Sequence, residues 1–486
     1  MRPEANTLFE ISWEVCNKTT NLYELLKSKS IILQKNYENY YFVGPYIKEN
    51  QDFTKENTPK NFREIFLKLE QEGINCHYGK WNINGEPSVI LVESNSWPEA
   101  PSKLIEEFQR RNKKTVAHFH NKSPKETKYP SLITIYNNQK ITGNENQVIT
   151  TTSETHKKRI SQGTYKVLIP GINNNLFPKD ESLIEYHKNN SRKLKEFIIF
   201  YFFPFYRFNL EETITTFINL ENSQEIIIKA LKLLENKLQN EKSNKTLIAI
   251  LYNPEENYGT KENIATNKTK YKKITKLIDN MSQEIIEEIT KSVIEEKTHL
   301  LPQKILQEIN RLKEEIRSEG IPPISAQRLR EENNNKIIKL LEEYKLNNSK
   351  DSKVKVILFS NKLNSADGII NLNEEEVISG CELGIFLSED FNALKCSALG
   401  TPCLTSEENS LGDFLISSKQ GKKGVYALKN SQDMSSTITK IIYNFTLLNK
   451  KAMNLERIES KKISKQVDWE NIIHHYIDAH NKALKK

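Results

Sequence analysis

Residues 381–402 read CELGIFLSEDFNALKCSALGTP: a short apolar run, an acidic turn holding Glu389 and Asp390, then a run of small residues with helical character. Carboxylates at the mouth of a strand can accept hydrogen bonds from ligand hydroxyls. Lys395, on the helix that follows, can only donate. A second candidate is the polar loop NKTTNLYELLKSKS (17–30), where Lys18, Thr19 and Thr20 lead into a helix. Its backbone N–H groups and the helix dipole suit a phosphate. Close approach normally calls for glycine, and this loop has none, so an ordinary strand–helix turn accounts for it equally. His118 and His120 alternate in VAHFHNK and so face one side of a strand. No carboxylate or cysteine at ligand spacing joins them, and no metal is expected. Either one donates to a substrate hydroxyl or sits satisfied in the core.

Other chemistries lack their signatures. No G-x-S-x-G elbow, no GxxxxGK[ST] loop and no GxGxxG turn occurs, which removes the common hydrolase, P-loop and dinucleotide readings. The chain of 486 residues carries 71 basic and 63 acidic side chains, a net charge of +8. That excess is mild, and its clusters at 110–114 and 449–465 lie among acids, so they read as solvated helix faces and no nucleic-acid partner is expected. The five cysteines (16, 76, 381, 396, 403) form no CxxC pair, as in a reduced, cytoplasmic compartment. The most apolar stretch, FIIFYFFPFYRF (197–208), is too short for a bilayer, which needs about 20 residues. With no signal-peptide core at 1–15, no membrane association is expected.

These groups need elements to position them. TLFEISWEV (7–15), NYYFVGPYI (39–47), SVILVES (88–94), TVAHFHN (115–121) and SLITIYN (131–137) read as strands. NFREIFLKLEQEG (61–73) reads as a helix capped by Gly73. A second alternating block begins at EFIIFYFFPF (196–205) and resumes at NKTLIAILYNP, VKVILFSNKL, GCELGIFLSE and TPCLTSEE. Between its strands lies a helical tract, 267–346, suited to a helical hairpin, to packing on its own domain or to a homo-oligomer contact. The expected class is α/β: two Rossmann-like, doubly wound domains facing a cleft, with ligands at the carboxyl ends of strands. The domains are placed at 1–190, joined by a final helix at 468–486, and at 191–467 with the insertion 267–346.

Taken in order, LFEISWEVCNKTTNLYELLKSKS, EGINCHYGKWNINGEPSVILVES, VAHFH, ITTTSETH, VLIPGINNNLF, GCELGIFLS, CSALGTPCLTSEENSLGDF and VDWENIIHHY form a collinear set over nearly the whole chain. The set resembles the animal- and fungal-type glycogen synthases, of GT-B architecture. The resemblance implies glucosyl transfer from UDP-glucose to an α-1,4-glucan with retention, no metal or other cofactor, and glycogen or a related α-glucan as partner. By the same resemblance Lys18, Thr19, Thr20, Lys395, Ser410 and Leu411 belong to the donor-nucleotide side. Glu389, Asp390 and Arg207 fall near the catalytic groups, and His118 and His120 near the substrate.

The departures from the family pattern are specific. Its E-x7-E motif is represented by a shorter loop, with Glu389 and Asp390 near the first carboxylate and Lys395 at the second. Its leaving-group cations are sought in FFPFYRFNLEE (202–212), where an aromatic near Phe203 replaces the arginine and Arg207 is the remaining cation. Its paired glycines are represented by Thr19, Thr20 and Asn21, and a further histidine and arginine fall near Tyr136 and Thr142. The arginine-rich regulatory helix becomes NLERIESKKISKQVDW with only Arg457, so no activation by sugar phosphate is expected. Three readings follow: a family member with lost or strongly reduced transferase activity, a divergent active glucosyltransferase with a rebuilt site, or a non-catalytic glucan-binding or scaffold protein.

Overall fold

The computed structural model describes residues 1–47, 52–93, 95–136, 147–159, 163–295, 303–388, 391–430 and 433–486. The chain divides into two compact units: Met1–Asp180 with Phe386–Asn430 and Leu455–Lys486, and Glu181–Ile385 with Ser431–Asn454. Each unit thus gathers distant segments of the chain.

The first unit opens with β1 (Thr7–Ile11), α1 (Leu22–Asn36), β2 (Asn39–Pro45), β3 (Phe53–Lys55), α2 (Lys60–Gln71), β4 (Asn75–Trp81), β5 (Ser88–Glu93) and α3 (Glu99–Arg111). It continues through β6 (Thr115–His120), β7 (Ser131–Ile135), β8 (Gln147–Thr151), α4 (Glu154–Arg159) and β9 (Thr164–Val167). The nine strands form one sheet in the order β3-β4-β5-β2-β1-β6-β7-β8-β9. It is parallel from β5 to β9, and the antiparallel β3 and β4 finish one edge. Helices cover the parallel strands, so β1, β6, β7 and β8 are buried at every position. In α2, Phe62, Ile65 and Leu69 form the buried stripe, packed in a core with Phe9, Tyr41 and Phe108. Gly73 follows with φ +77°, the left-handed cap its type favours.

The second unit begins with α5 (Leu183–Phe202), β10 (Thr213–Asn219), α6 (Gln224–Asn240), β11 (Thr246–Tyr252) and β12 (Asn257–Thr260). Then come α7 (Glu262–Asn280), α8 (Ser282–Ile294), α9 (Gln303–Ile316), β13 (Gln327–Leu329), α10 (Lys336–Glu343), β14 (Val354–Phe359), α11 (Glu374–Gly380) and β15 (Leu383–Phe386). β10, β11 and β14 pair in parallel, while β12 and β13 form a small antiparallel ribbon. The expected strand at 196–205 is instead the last turns of α5. Leu194, Phe197, Ile198 and Tyr201 are its buried face, at helical spacing. A short apolar run does not by itself separate a buried strand from a buried helix. The helical tract starts at Glu262 and is interrupted by β13 before α10. No helix among the described residues is long and apolar enough to cross a membrane.

The chain then supplies α12 (Asn392–Ala398), β16 (Cys403–Ser406), α13 (Ser410–Ser417), β17 (Lys422–Lys423) and β18 (Val425–Leu428) to the first unit, and α14 (Met434–Thr446) to the second. It closes with α15 (Lys450–Gln466) and α16 (Trp469–Leu484). α16 lies along the nine-stranded sheet. Its Trp469 indole donates to Ser28 Oγ at 2.9 Å. A Cβ on Gly171 would stand 2.6 Å from the Trp469 ring, so this contact requires glycine. The basic stretch 449–465 is not a solvated face throughout: Arg457 and Lys461 of α15 are buried. Lys461 donates to the Ala398 carbonyl at 2.8 Å and to Asn174 Oδ1 at 3.1 Å. Carbonyl acceptors from the neighbouring loop and helix allow this cation to leave water.

Candidate functional site

Ligands of doubly wound sheets sit at the carboxyl ends of parallel strands. In the first unit, β1 delivers the loop 12–21 to that end. Glu14, buried at its base, bends toward the loop that follows. Its Oε2 accepts from the backbone N–H groups of Thr19 and Thr20, each at 3.0 Å, and its Oε1 accepts from Thr19 Oγ1 at 2.7 Å. A carboxylate of the chain itself therefore takes the donors that a glycine-rich loop would offer to a phosphate. Lys18 turns to Glu24 on the first turn of α1, at 2.7 Å.

Lys395 is buried on α12, with its ammonium 5.8 Å from the centre of the Phe391 ring. It acts on the same Glu24. Burial pushes the Glu24 carboxyl up, but Lys395, followed by Lys18 and Lys27, outweighs burial and holds it below the usual carboxylate range. Lys395 and Lys18, both assigned to the nucleotide side, thus converge on one glutamate of α1. Ser410 and Leu411 open α13 and are buried; Asn409 caps that helix by accepting from Leu411 N at 3.0 Å. Further along, Asp413 reaches α4. It accepts from Glu154 N at 2.7 Å and from Thr155 Oγ1 at 2.7 Å. Arg159 closes the same contact with a two-pronged pair to Glu408, at 2.7 and 2.5 Å. Glu389 and Asp390 lie outside the described residues, as does Thr142.

His118 and His120 both have fully buried side chains. His118 Nε2 meets Thr134 Oγ1 at 2.6 Å, and its Nδ1 meets His480 Nε2 of α16 at 3.1 Å. His120 Nδ1 meets Tyr136 OH at 3.1 Å. The structure brings a carboxylate that spacing did not show: Glu10 of β1, whose ligand-type oxygen joins the two imidazoles within 4.8 Å. Lys29 of α1 stands 2.8 Å from Glu10 Oε1 and already supplies the positive charge there. Burial raises the Glu10 carboxyl, yet the Lys29 charge and the His118 hydrogen bond outweigh it and bring the pKa to about 2. Burial lowers His118 to about 4, against the pull of Glu10. The imidazoles and the ion pair form one buried cluster, in which His120 Nε2 has no hydrogen-bond partner among the described residues. Glu10 and Lys29 carried no recognisable motif; the register β1–β6 sets Glu10 opposite His118, and the packing of α1 brings Lys29 to Glu10.

Arg207 lies in the second unit on the segment entering β10, so it precedes the strand's amino end. The strand expected at 196–205, overlapping this stretch, is replaced by α5 as far as Phe202. At the carboxyl end of β10 the chain reads Asn219-Leu220-Glu221-Asn222-Ser223 and offers no cation before α6. Asn219 Oδ1 accepts from Glu221 N at 3.2 Å, and Asn222 adopts φ +55°. Nothing in the composition of this turn marks it as a site.

A family model described as glycogen synthase matches residues 10–154 and 141–486. The chain belongs to the glycogen synthase family. It is 21% identical to the liver glycogen [starch] synthase of Mus musculus, over 99% of this chain and 83% of that protein. It is 23% identical to the glycogen [starch] synthase of Dictyostelium discoideum, over 100% of this chain and 67% of that protein. Among solved structures, the catalytic domain of starch synthase IV from Arabidopsis thaliana, bound to ADP and acarbose, matches with a TM-score of 0.50 at 9% identity. That match covers 99% of this chain and 100% of that one. The fold is accordingly the GT-B glycosyltransferase architecture. In this glycogen synthase family member, Glu14 holds the loop after β1 and α12 carries Lys395 in its last turn.

Proposed function

We propose that this chain is a glycogen-synthase-like protein in which glucosyl transfer is lost or strongly reduced. Glycogen or a related α-glucan is its binding partner, in the cytoplasm. The observation that carries the reading is the Glu14 carboxylate seated on Thr19 N and Thr20 N. Departure of a nucleotide diphosphate without a metal needs cations and backbone donors aimed at the developing charge. Here the loop donors are taken by a group of the same sign as the leaving group. Lys395 adds a cation where the family has a carboxylate, and it is engaged electrostatically with Glu24. The end of β10 adds no cation. Loss of one well-placed stabiliser typically slows such a step by about 100- to 1000-fold, and several positions change together.

The deciding experiment incubates purified protein with radiolabelled UDP-glucose and glycogen. The expected outcome is no incorporation above the protein-free control, with glycogen still co-sedimenting the protein. Robust incorporation that disappears in Arg207→Ala would overturn the proposal in favour of a rebuilt transferase. Calorimetry with UDP-glucose adds a second readout, expected to show no saturable heat.

A further inference from the structure

In the second unit, the end of α5 and the facing sides of α7 and α9 surround a cavity of about 600 Å3. Phe200, Phe203, Tyr271, Ile274, Leu277 and Leu312 give it a mainly apolar wall. That size lies well inside the range of small-molecule sites, about 300–1,000 Å3. Two observations specify what fits. Asn267 of α7 lines the cavity and is 2% exposed. Its Oδ1 accepts from Ser318 Oγ at 3.4 Å, while its Nδ2 has no hydrogen-bond partner among the described residues. A buried amide donor is normally satisfied, so this one points to an acceptor that a ligand would bring. Three cations, Arg207, Lys313 and Arg317, also line the cavity against the single carboxylate of Glu314. None of the three makes a side-chain ion pair among the described residues. Ser318 holds Asn267 and the segment before Arg207 together, because its N–H donates to the Pro204 carbonyl at 2.8 Å. The polar end of the cavity is therefore one place, at the meeting of Asn267, Arg317 and the loop entering β10.

We propose that this cavity binds a straight-chain carboxylate. The alkyl tail lies among the aromatic and aliphatic side chains, and the head group accepts from Asn267 Nδ2 beside Arg317 and Arg207. The site shares Arg207 with the rebuilt-transferase reading, so its test rests on Arg317 and on the cavity-filling variants.

Calorimetry of the full chain with octanoate, decanoate and dodecanoate, each below its micelle concentration, tests the proposal. One saturable site per chain is expected, tightening about fourfold for each added methylene, the affinity gain of burying one CH2. 1-Dodecanol is expected to bind at least tenfold more weakly than dodecanoate, and Arg317→Ala to bring the two together. Ile274→Trp, which fills the cavity, is expected to abolish binding without changing the circular dichroism spectrum; Leu277→Trp is a second filling variant should the first not fold. Non-saturating uptake, equal affinity for acid and alcohol, or indifference to both filling variants would each overturn the site. So would light scattering in which Ile274→Trp converts an oligomer to a monomer, because a second copy would then cover the wall.

Discussion

Lys395 can be tested where it stands. Its ammonium lowers the Glu24 carboxyl, and both side chains are largely withdrawn from water: Lys395 is 7% exposed and the Glu24 side chain 16%. Lys395→Glu therefore removes an attraction and creates a like-charge contact. A loss of about 2 kcal/mol in urea unfolding is expected. The reciprocal pair Lys395→Glu with Glu24→Lys should recover part of that loss, the remainder reflecting the new repulsion from Lys18. Restoring a family-like carboxylate at this one position is not expected to restore transfer, because Glu14 still occupies Thr19 N and Thr20 N. A double-mutant cycle reads the coupling, and labelled-glucose incorporation reads the chemistry.

Among the elements, α16 has the most checkable attachment. Gly171 allows the Trp469 ring to approach to a distance at which no Cβ fits, and Ile172 N–H and Trp469 N–H exchange backbone hydrogen bonds with Val467 and Ile172 carbonyls at 3.0 Å each. Gly171→Ala should loosen this docking, raising amide exchange along 469–484 selectively and lowering stability by about 1–3 kcal/mol. The sequence showed much of the element plan. The short apolar-rich runs of β1, β2 and β6 read as strands in an alternating α/β pattern, and Gly73 marked the end of α2. It did not show α5 as a helix, since an unbroken aromatic run has no period to read. Nor did it show that His118 meets a helix from the far end of the chain. Such a contact depends on tertiary pairing across 362 residues, and local spacing holds no trace of it. The candidate site was legible only as departures, Lys395 above all. The Glu14 contact depends on the path of a loop, which residue types do not determine.

At the scale of the whole molecule, the buried histidines govern acid stability. His118 is lowered to about 4, and His120 and His480 are held well below their ordinary value, in each case chiefly by burial. An unfolded chain takes up protons on all three as pH falls below about 6.5, and the native chain does not. The unfolded state then binds more protons, so stability rises with pH across this window and falls as the medium is acidified from about 6.5 toward 4. The slope is about 1.4 kcal/mol per pH unit for each histidine. Glu10, lowered to about 2, extends the loss: its contribution is present above about pH 4.5 and disappears as pH falls through 2. Urea unfolding between pH 4 and 7.5 should show this slope, and His480→Gln should reduce it by about one proton. An unchanged slope would mean that His480 is protonated in the native state.

His480 sits against His118 and also takes the Tyr37 hydroxyl at 2.7 Å, while Asn481 accepts from Glu4 N at 2.8 Å. During synthesis, a ribosome adding about 5–20 residues per second needs roughly 20–70 s to travel from His118 to His480. For that interval the nascent sheet exposes the face that α16 later covers, and its ion pair waits beside water. The opening segments emerge first yet are sealed last, by the helix that carries His480.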